Sequence, residues 1–143
     1  MDVSFTRAGD RAFAESLIRT NMRPYYEGRS ILWDSARFAQ DWQAYDRYEM
    51  VSAAQRLGLL CLEYDDRACY IQDLQVVAQR RGQGVGTAAI EQAAQAALGR
   101  GLSRLRLKVF RDNPAARLYR RCGFAVVRED ADFYWMECVL SPR

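Results

Sequence analysis

The sequence predicts an α/β fold with a mixed sheet. Three observations carry that prediction. Runs with strand patterning alternate with runs at helical spacing along the chain. A glycine turn, Arg81-Gly82-Gln83-Gly84-Val85-Gly86-Thr87, joins an apolar run (Tyr70 to Val77) to an alanine-rich one (Thr87 to Leu98). Half of the 143 residues are hydrophobic, yet no run reaches transmembrane length. That length suits one domain, residues 1–143, with a single core.

Each element follows from its own pattern. Val3 to Arg7 alternates and reads as a strand. Asp10 to Met22 has helical spacing through Phe13, Leu17 and Ile18, and Met22 to Ser30, with Pro24 and Gly28, reads as a loop. Asp34 to Tyr45 is a second amphipathic helix with Phe38, Trp42 and Tyr45 on one side. Tyr48 to Ala54, Arg56 to Tyr64 and Ala68 to Val77 read as strands, the last two joined by a turn at Asp65-Asp66. The helix from Thr87 to Leu98 is lined with alanines, which let it lie close against a sheet, and Gly99-Arg100-Gly101 ends it. A strand at Leu102 to Phe110, a short helix, and strands at Phe124 to Glu129 and Phe133 to Leu140 complete the chain.

The glycine turn is a seat for phosphate. Glycine tolerates positive φ and lets a ligand approach the backbone, and the amides opening the next helix carry the positive end of its dipole. Three patterns compete for it. The dinucleotide fingerprint fits weakly, because from Gly82 its third glycine falls on Thr87, and no acidic residue ends the strand at 102–110. The P-loop requires a lysine beside the last glycine, and none adjoins these. The pattern [Arg/Gln]-x-x-Gly-x-Gly is met without a gap by Arg81, Gly84 and Gly86.

A second cluster runs from Asn113 to Phe124. Asn113 is an N-cap, Pro114 takes the first helical position and Gly123 the position after the last turn. Ala115, Leu118 and Cys122 share one face, with Tyr119 half-buried beside it.

The two clusters together resemble the GNAT superfamily of N-acetyltransferases, which use acetyl-coenzyme A. The loop signature is matched by Arg81, Gly84 and Gly86, and the later one by Asn113, Ala116, Tyr119, Gly123 and Phe124. The resemblance covers about residues 55 to 140 and is thin before them. It implies a mostly antiparallel sheet splayed in a V, with helices on both faces and a coenzyme-binding core over residues 70–124. It also implies a pyrophosphate held by the amides of Gln83, Gly84, Val85, Gly86 and Thr87, beside Arg81 and Gly82. The pantetheine arm would pair with the backbone of Leu74, Gln75 and Val76, touch Asn113, and pass the late helix at Ala115 and Ala116. Tyr119 matches the family's tyrosine that donates to the coenzyme sulfur, which makes it the candidate general acid.

The base is less plain. The chain has no histidine, so Asp73 is the best candidate, because a carboxylate inside an apolar strand needs a reason. Glu27, Asp34 or a water chain are the fallbacks. The acceptor pocket is expected from residues 21–45, where Tyr25, Tyr26, Glu27, Trp33 and Asp34 suit a cationic amine, while Arg23 and Arg29 suit a carboxylate carried on it. The expected reaction is acetyl transfer to a primary amine of a small molecule or of a peptide or protein N-terminus. A non-catalytic acyl-CoA-binding regulatory module on the same fold is the alternative.

Composition bounds the partners. A net charge of +3 is mild and the basic residues are dispersed, so nucleic acid is not expected. Cys61, Cys69, Cys122 and Cys138 show no C-x-x-C spacing, and without histidine no metal site is expected. Free thiols and an N-terminus without an apolar leader point to a cytoplasmic protein that does not enter membranes. An exposed edge at the final strands would allow a homodimer.

Overall fold

A computed structural model of the chain describes residues 2–141. The architecture is α/β with a seven-stranded mixed sheet, as the sequence predicts. The elements are β1 (Ser4–Arg7), α1 (Arg11–Glu27), α2 (Ser35–Ala44), β2 (Asp46–Ser52), β3 (Gln55–Tyr64), β4 (Cys69–Val76), a 3₁₀ turn (Ala78–Arg80), α3 (Val85–Gly99), β5 (Arg104–Phe110), α4 (Ala115–Arg121), β6 (Ala125–Glu129) and β7 (Phe133–Val139). Two compact units are formed. One takes the chain up to Cys61 together with Asp73–Val85, the other Leu62–Gln72 together with the chain from Gly86 onward. Strands β3 and β4 contribute residues to both.

In the first unit the strand order is β1-β2-β3-β4. β1 lies antiparallel to β2, from Ser4↔Val51 to Arg7↔Tyr48. The turn from β2 to β3 is made by Ala53 and Ala54, both at positive φ (49° and 63°), the two-residue geometry that normally calls for Asn-Gly. The core beneath α1 and α2 gathers Ala14, Leu17, Ile18, Phe38, Trp42, Leu59 and Cys61. Asp10 caps α1 by accepting from the Phe13 amide at 3.0 Å, and Asp34 caps α2 by accepting from the Arg37 amide at 2.9 Å.

Two boundaries depart from expectation: Ala53 and Ala54, read as the end of a strand, form the turn after β2 because both take positive φ, and the end of α1 lies later than predicted. The segment read as a loop after Met22 is helical: α1 runs through Pro24 to Glu27. Proline removes one N–H from the helix and crowds the carbonyl of the preceding turn, and here the helix continues past it. The last turn is closed by the Gly28 amide donating to the Pro24 carbonyl at 3.4 Å, and Tyr26 stacks on Trp33 at 6.3 Å between ring centroids.

The second unit orders its strands β3-β4-β5-β7-β6. β4 runs parallel to β5 at Cys69↔Leu105 and Tyr70↔Arg106, and β7 lies antiparallel to both β5 and β6. The turn before β4 is the predicted one: Asp65 Oδ1 accepts from the amides of Arg67 and Ala68, each at 2.8 Å. Glu137 bridges Arg104 (2.7 Å) and Arg106 (2.8 Å), two cations on alternate positions of β5. On α3 the alanines expected to allow close packing do so, Ala89, Ala93 and Ala97 being fully buried. Cys61, Cys69, Cys122 and Cys138 form no disulfide among the described residues. Among the described residues, no helix is long and apolar enough to cross a membrane, and no group of three or more Cys, Asp or Glu could hold a metal ion.

Candidate active site

The glycine turn has the conformation its composition suggests. Gly82 (φ 74°) and Gly84 (φ 85°) are both left-handed, and a Cβ at either would meet nothing within 4 Å. The backbone there is open to an approaching group. Helix α3 starts at Val85, so its first amides have no partner within the helix. Gly86 answers a different need, because a Cβ there would lie 2.6 Å from Leu118 Cδ2 on α4. The open backbone of the turn and the amides that begin α3 are a donor set that fits an anionic diphosphate such as that of coenzyme A, with Arg81 beside them donating to Asn21 through Nη2.

α4 is held at both ends. Asn113 Oδ1 accepts from the Ala115 amide at 2.9 Å, and Pro114 already has helical dihedrals (φ −58°, ψ −19°). At the other end Gly123 (φ 98°) completes a Schellman closure. Its amide donates to the Arg120 carbonyl at 3.1 Å and that of Phe124 to the Tyr119 carbonyl at 3.0 Å. The buried face differs from expectation. Ala116 and Tyr119 are the buried pair, while Ala115, Leu118 and Cys122 are only partly covered. Tyr119 is 7% exposed rather than half-buried, and its ring packs on Phe124 at 5.7 Å.

Asp73 lies in the first unit on the strand face it shares with Gln75. It keeps some accessible surface, yet its carboxyl is hemmed in by protein. Burial pushes it up to about 7, against a counteracting hydrogen bond from Gln75, and Asp41 on α2 adds to the rise. The same carboxylate is felt by two neighbours. Burial and then Asp73 raise the Tyr26 phenol, and burial followed by Asp73 lifts the Cys61 thiol well above its usual range. Tyr26 and Asp73 are therefore brought into electrostatic range. Gln75 Nε2 donates to Asp73 Oδ1 at 3.3 Å, and Asn21 on α1 donates to Gln75 Oε1 at 3.2 Å and to the Val76 carbonyl at 3.1 Å. Asn21 lies within the expected acceptor region but was not singled out by the sequence. Its partners are more than fifty residues away in the chain, so no local pattern marks it.

The remaining acceptor candidates have local engagements. Trp33 Nε1 donates to Glu15 Oε2 at 2.6 Å, and the ring packs on Phe38 at 5.4 Å. Asp34 is the α2 cap described above. Glu27 is exposed and pairs with Arg23 at 3.9 Å, one helical turn away. Tyr25 supplies its carbonyl to Arg29 Nη1 at 3.1 Å.

The chain is similar to known acetyltransferases. A family model described as the acetyltransferase (GNAT) family matches residues 14–124. A mouse thialysine N-ε-acetyltransferase is 43% identical over 58 residues, which is 40% of this chain and 34% of that protein, so the match spans about a third of that relative's length. The fold is that of the PaiA N-acetyltransferase of Thermoplasma acidophilum, solved in complex with coenzyme A (TM-score 0.77, 15% identity, 97% of this chain and 99% of that one). It is equally that of the ribosomal-protein-S18-alanine N-acetyltransferase of Escherichia coli (TM-score 0.73, 17% identity, 99% and 96%).

Proposed function

The chain belongs to the GNAT acetyltransferase family, and from that premise we propose that it moves an acetyl group from acetyl-CoA to a primary amine in a ternary complex. The acceptor is a small-molecule amine or a peptide or protein N-terminus. Acetyl-CoA supplies an activated acyl group as a thioester. The amides of Gln83 to Thr87, with Arg81, hold its pyrophosphate, and the backbone of Leu74 to Val76 aligns the arm.

The observation that carries this reading is Asp73, a carboxyl held near 7 beside Tyr26. A base poised near the working pH combines a useful ionised fraction with proton affinity. Asp73 takes the proton from the acceptor ammonium, and the neutral nitrogen attacks the thioester carbon. As the C–S bond breaks, Tyr119 gives its proton to the departing sulfur; the second proton leaves the acylated nitrogen through water and restores the phenol, while Asp73 releases its own to solvent. Tyr26 lines the acceptor side and helps to receive a cation. Trp33, Asp34 and Glu27 act there through packing, capping and surface charge rather than as the base. A homodimer through β6, the terminal strand of the second unit, belongs to the same proposal and is checked by sedimentation.

A thiol-release screen of amines and peptides with acetyl-CoA tests the activity. Tyr119→Phe should keep coenzyme affinity and lose turnover. Unchanged turnover removes Tyr119 from the mechanism, and coenzyme binding with no turnover on any amine favours a regulatory module instead.

A further inference from the structure

Asp73 is the end of a directed chain of side chains within the first unit. Arg81 Nη2 donates to Asn21 Oδ1 at 2.7 Å. Asn21 Nδ2 donates to Gln75 Oε1 and to the Val76 carbonyl, and Gln75 Nε2 donates to Asp73 Oδ1. A guanidinium can only donate, so it decides which end of the Asn21 amide faces it. The two remaining Asn21 donors then face two acceptors, which turns the Gln75 oxygen toward Asn21 and its N–H toward Asp73. Gln75 is buried, so the chain rather than bulk solvent sets which end meets the carboxyl.

We infer that Asn21 and Gln75 are positioning residues, transmitting the amide orientation imposed at Arg81 so that Asp73 always meets a donor and never an acceptor. The functional weight of this relay rests on Asp73 being the base proposed above. Arg81 thereby has a task besides any contact with phosphate, since it anchors the polarity of the chain. The other groups around Asp73 are Tyr26 from α1, Asp41 from α2 and Cys61 from β3, while Asp46 and Arg47 of β2 act on Cys61.

Two uncharged variants test the relay without adding charge near Asp73. Gln75→Met removes the donor, and Asn21→Leu frees the Gln75 amide to turn over. The Asp73 carboxyl is followed by carbon-13 NMR across a pH titration of the coenzyme-free protein, alongside the pH profile of kcat/KM. Loss of one neutral donor should raise the midpoint by roughly half to one pH unit, with the acidic limb of kcat/KM moving the same way. Purely structural roles would lower stability and leave both midpoints in place. Midpoints unchanged in the folded variants overturn the relay. The NMR reading needs no turnover: a shifted midpoint in a protein that acetylates nothing keeps the relay and removes the proposed function, whereas an unmoved midpoint in an active enzyme does the reverse.

Discussion

Replacing Asp73 by Asn should make the protein more stable and less active, with a gain in stability that grows with pH. The buried carboxyl titrates near 7 against an ordinary 3.8. Below about pH 4 both the folded and the unfolded chain hold the proton, and the side chain imposes no electrostatic cost. Between those values the folded state holds it more tightly than the unfolded one, so wild-type stability falls as pH rises, and above about 7 the loss is complete. At about 1.36 kcal/mol per pH unit, that displacement sets a ceiling of about 4 kcal/mol. Partial solvent access to Asp73 reduces this, and about 2 kcal/mol is expected. Asn preserves the shape and still accepts the Gln75 hydrogen bond, so the comparison isolates the charge. The assay is urea unfolding of both proteins at pH 5 and pH 8, with kcat/KM measured at the same pH values. Asp73→Asn should gain on wild type between the two, while kcat/KM drops roughly 100-fold or more, as for loss of a general base. A stability difference that is the same at both pH values would refute the reasoning, because it would mean that the carboxyl is not held protonated by its surroundings.

Three further outcomes are expected. Gly84→Ala forces an L side chain into φ 85° at a cost of roughly 1–2 kcal/mol, and should weaken acetyl-CoA binding about 5- to 30-fold by calorimetry; an unaltered Kd removes the turn from the coenzyme site. Ala53→Asn combined with Ala54→Gly should raise the unfolding free energy by about 1 kcal/mol in urea, because both positions already have positive φ, and no gain would mean that the turn relaxes elsewhere. Gly58→Ala places a Cβ onto the Gln75 carbonyl oxygen and within 2.8 Å of Met50 Cε. Since a backbone atom cannot swing aside, a loss of about 3 kcal/mol or more is expected in thermal or urea unfolding.

What could be read from the sequence was what is written locally. The Asn113 cap, the glycine after α4, the Asp65 turn and the left-handed glycines at 82 and 84 depend on neighbours within a few residues, and the structure repeats them. Asp73 was visible as an anomaly, a carboxylate among apolar strand residues. The boundary misread by most was at Pro24, where breaker chemistry is overruled by a closed last turn and the Tyr26–Trp33 stack. Tyr119 was placed beside the buried face when it lies in it, since a seven-residue helix offers too few turns for periodicity to fix its orientation. Asn21 left no mark, because its importance comes from Arg81, Gln75 and Val76, which only folding brings near.

The double fastening of α4 has a consequence for how such a chain can change over generations. Seven residues are too few to hold a helix in water unaided; here Asn113, Pro114 and Gly123 secure the register from within a dozen positions of sequence. Tyr119 thus receives its backbone placement from a cassette that carries its own instructions. Substitutions outside this short stretch leave those fastenings intact, so the backbone beneath the phenol need not be re-established each time the rest of the chain changes. A duplicated copy of such a chain inherits that placement ready-made.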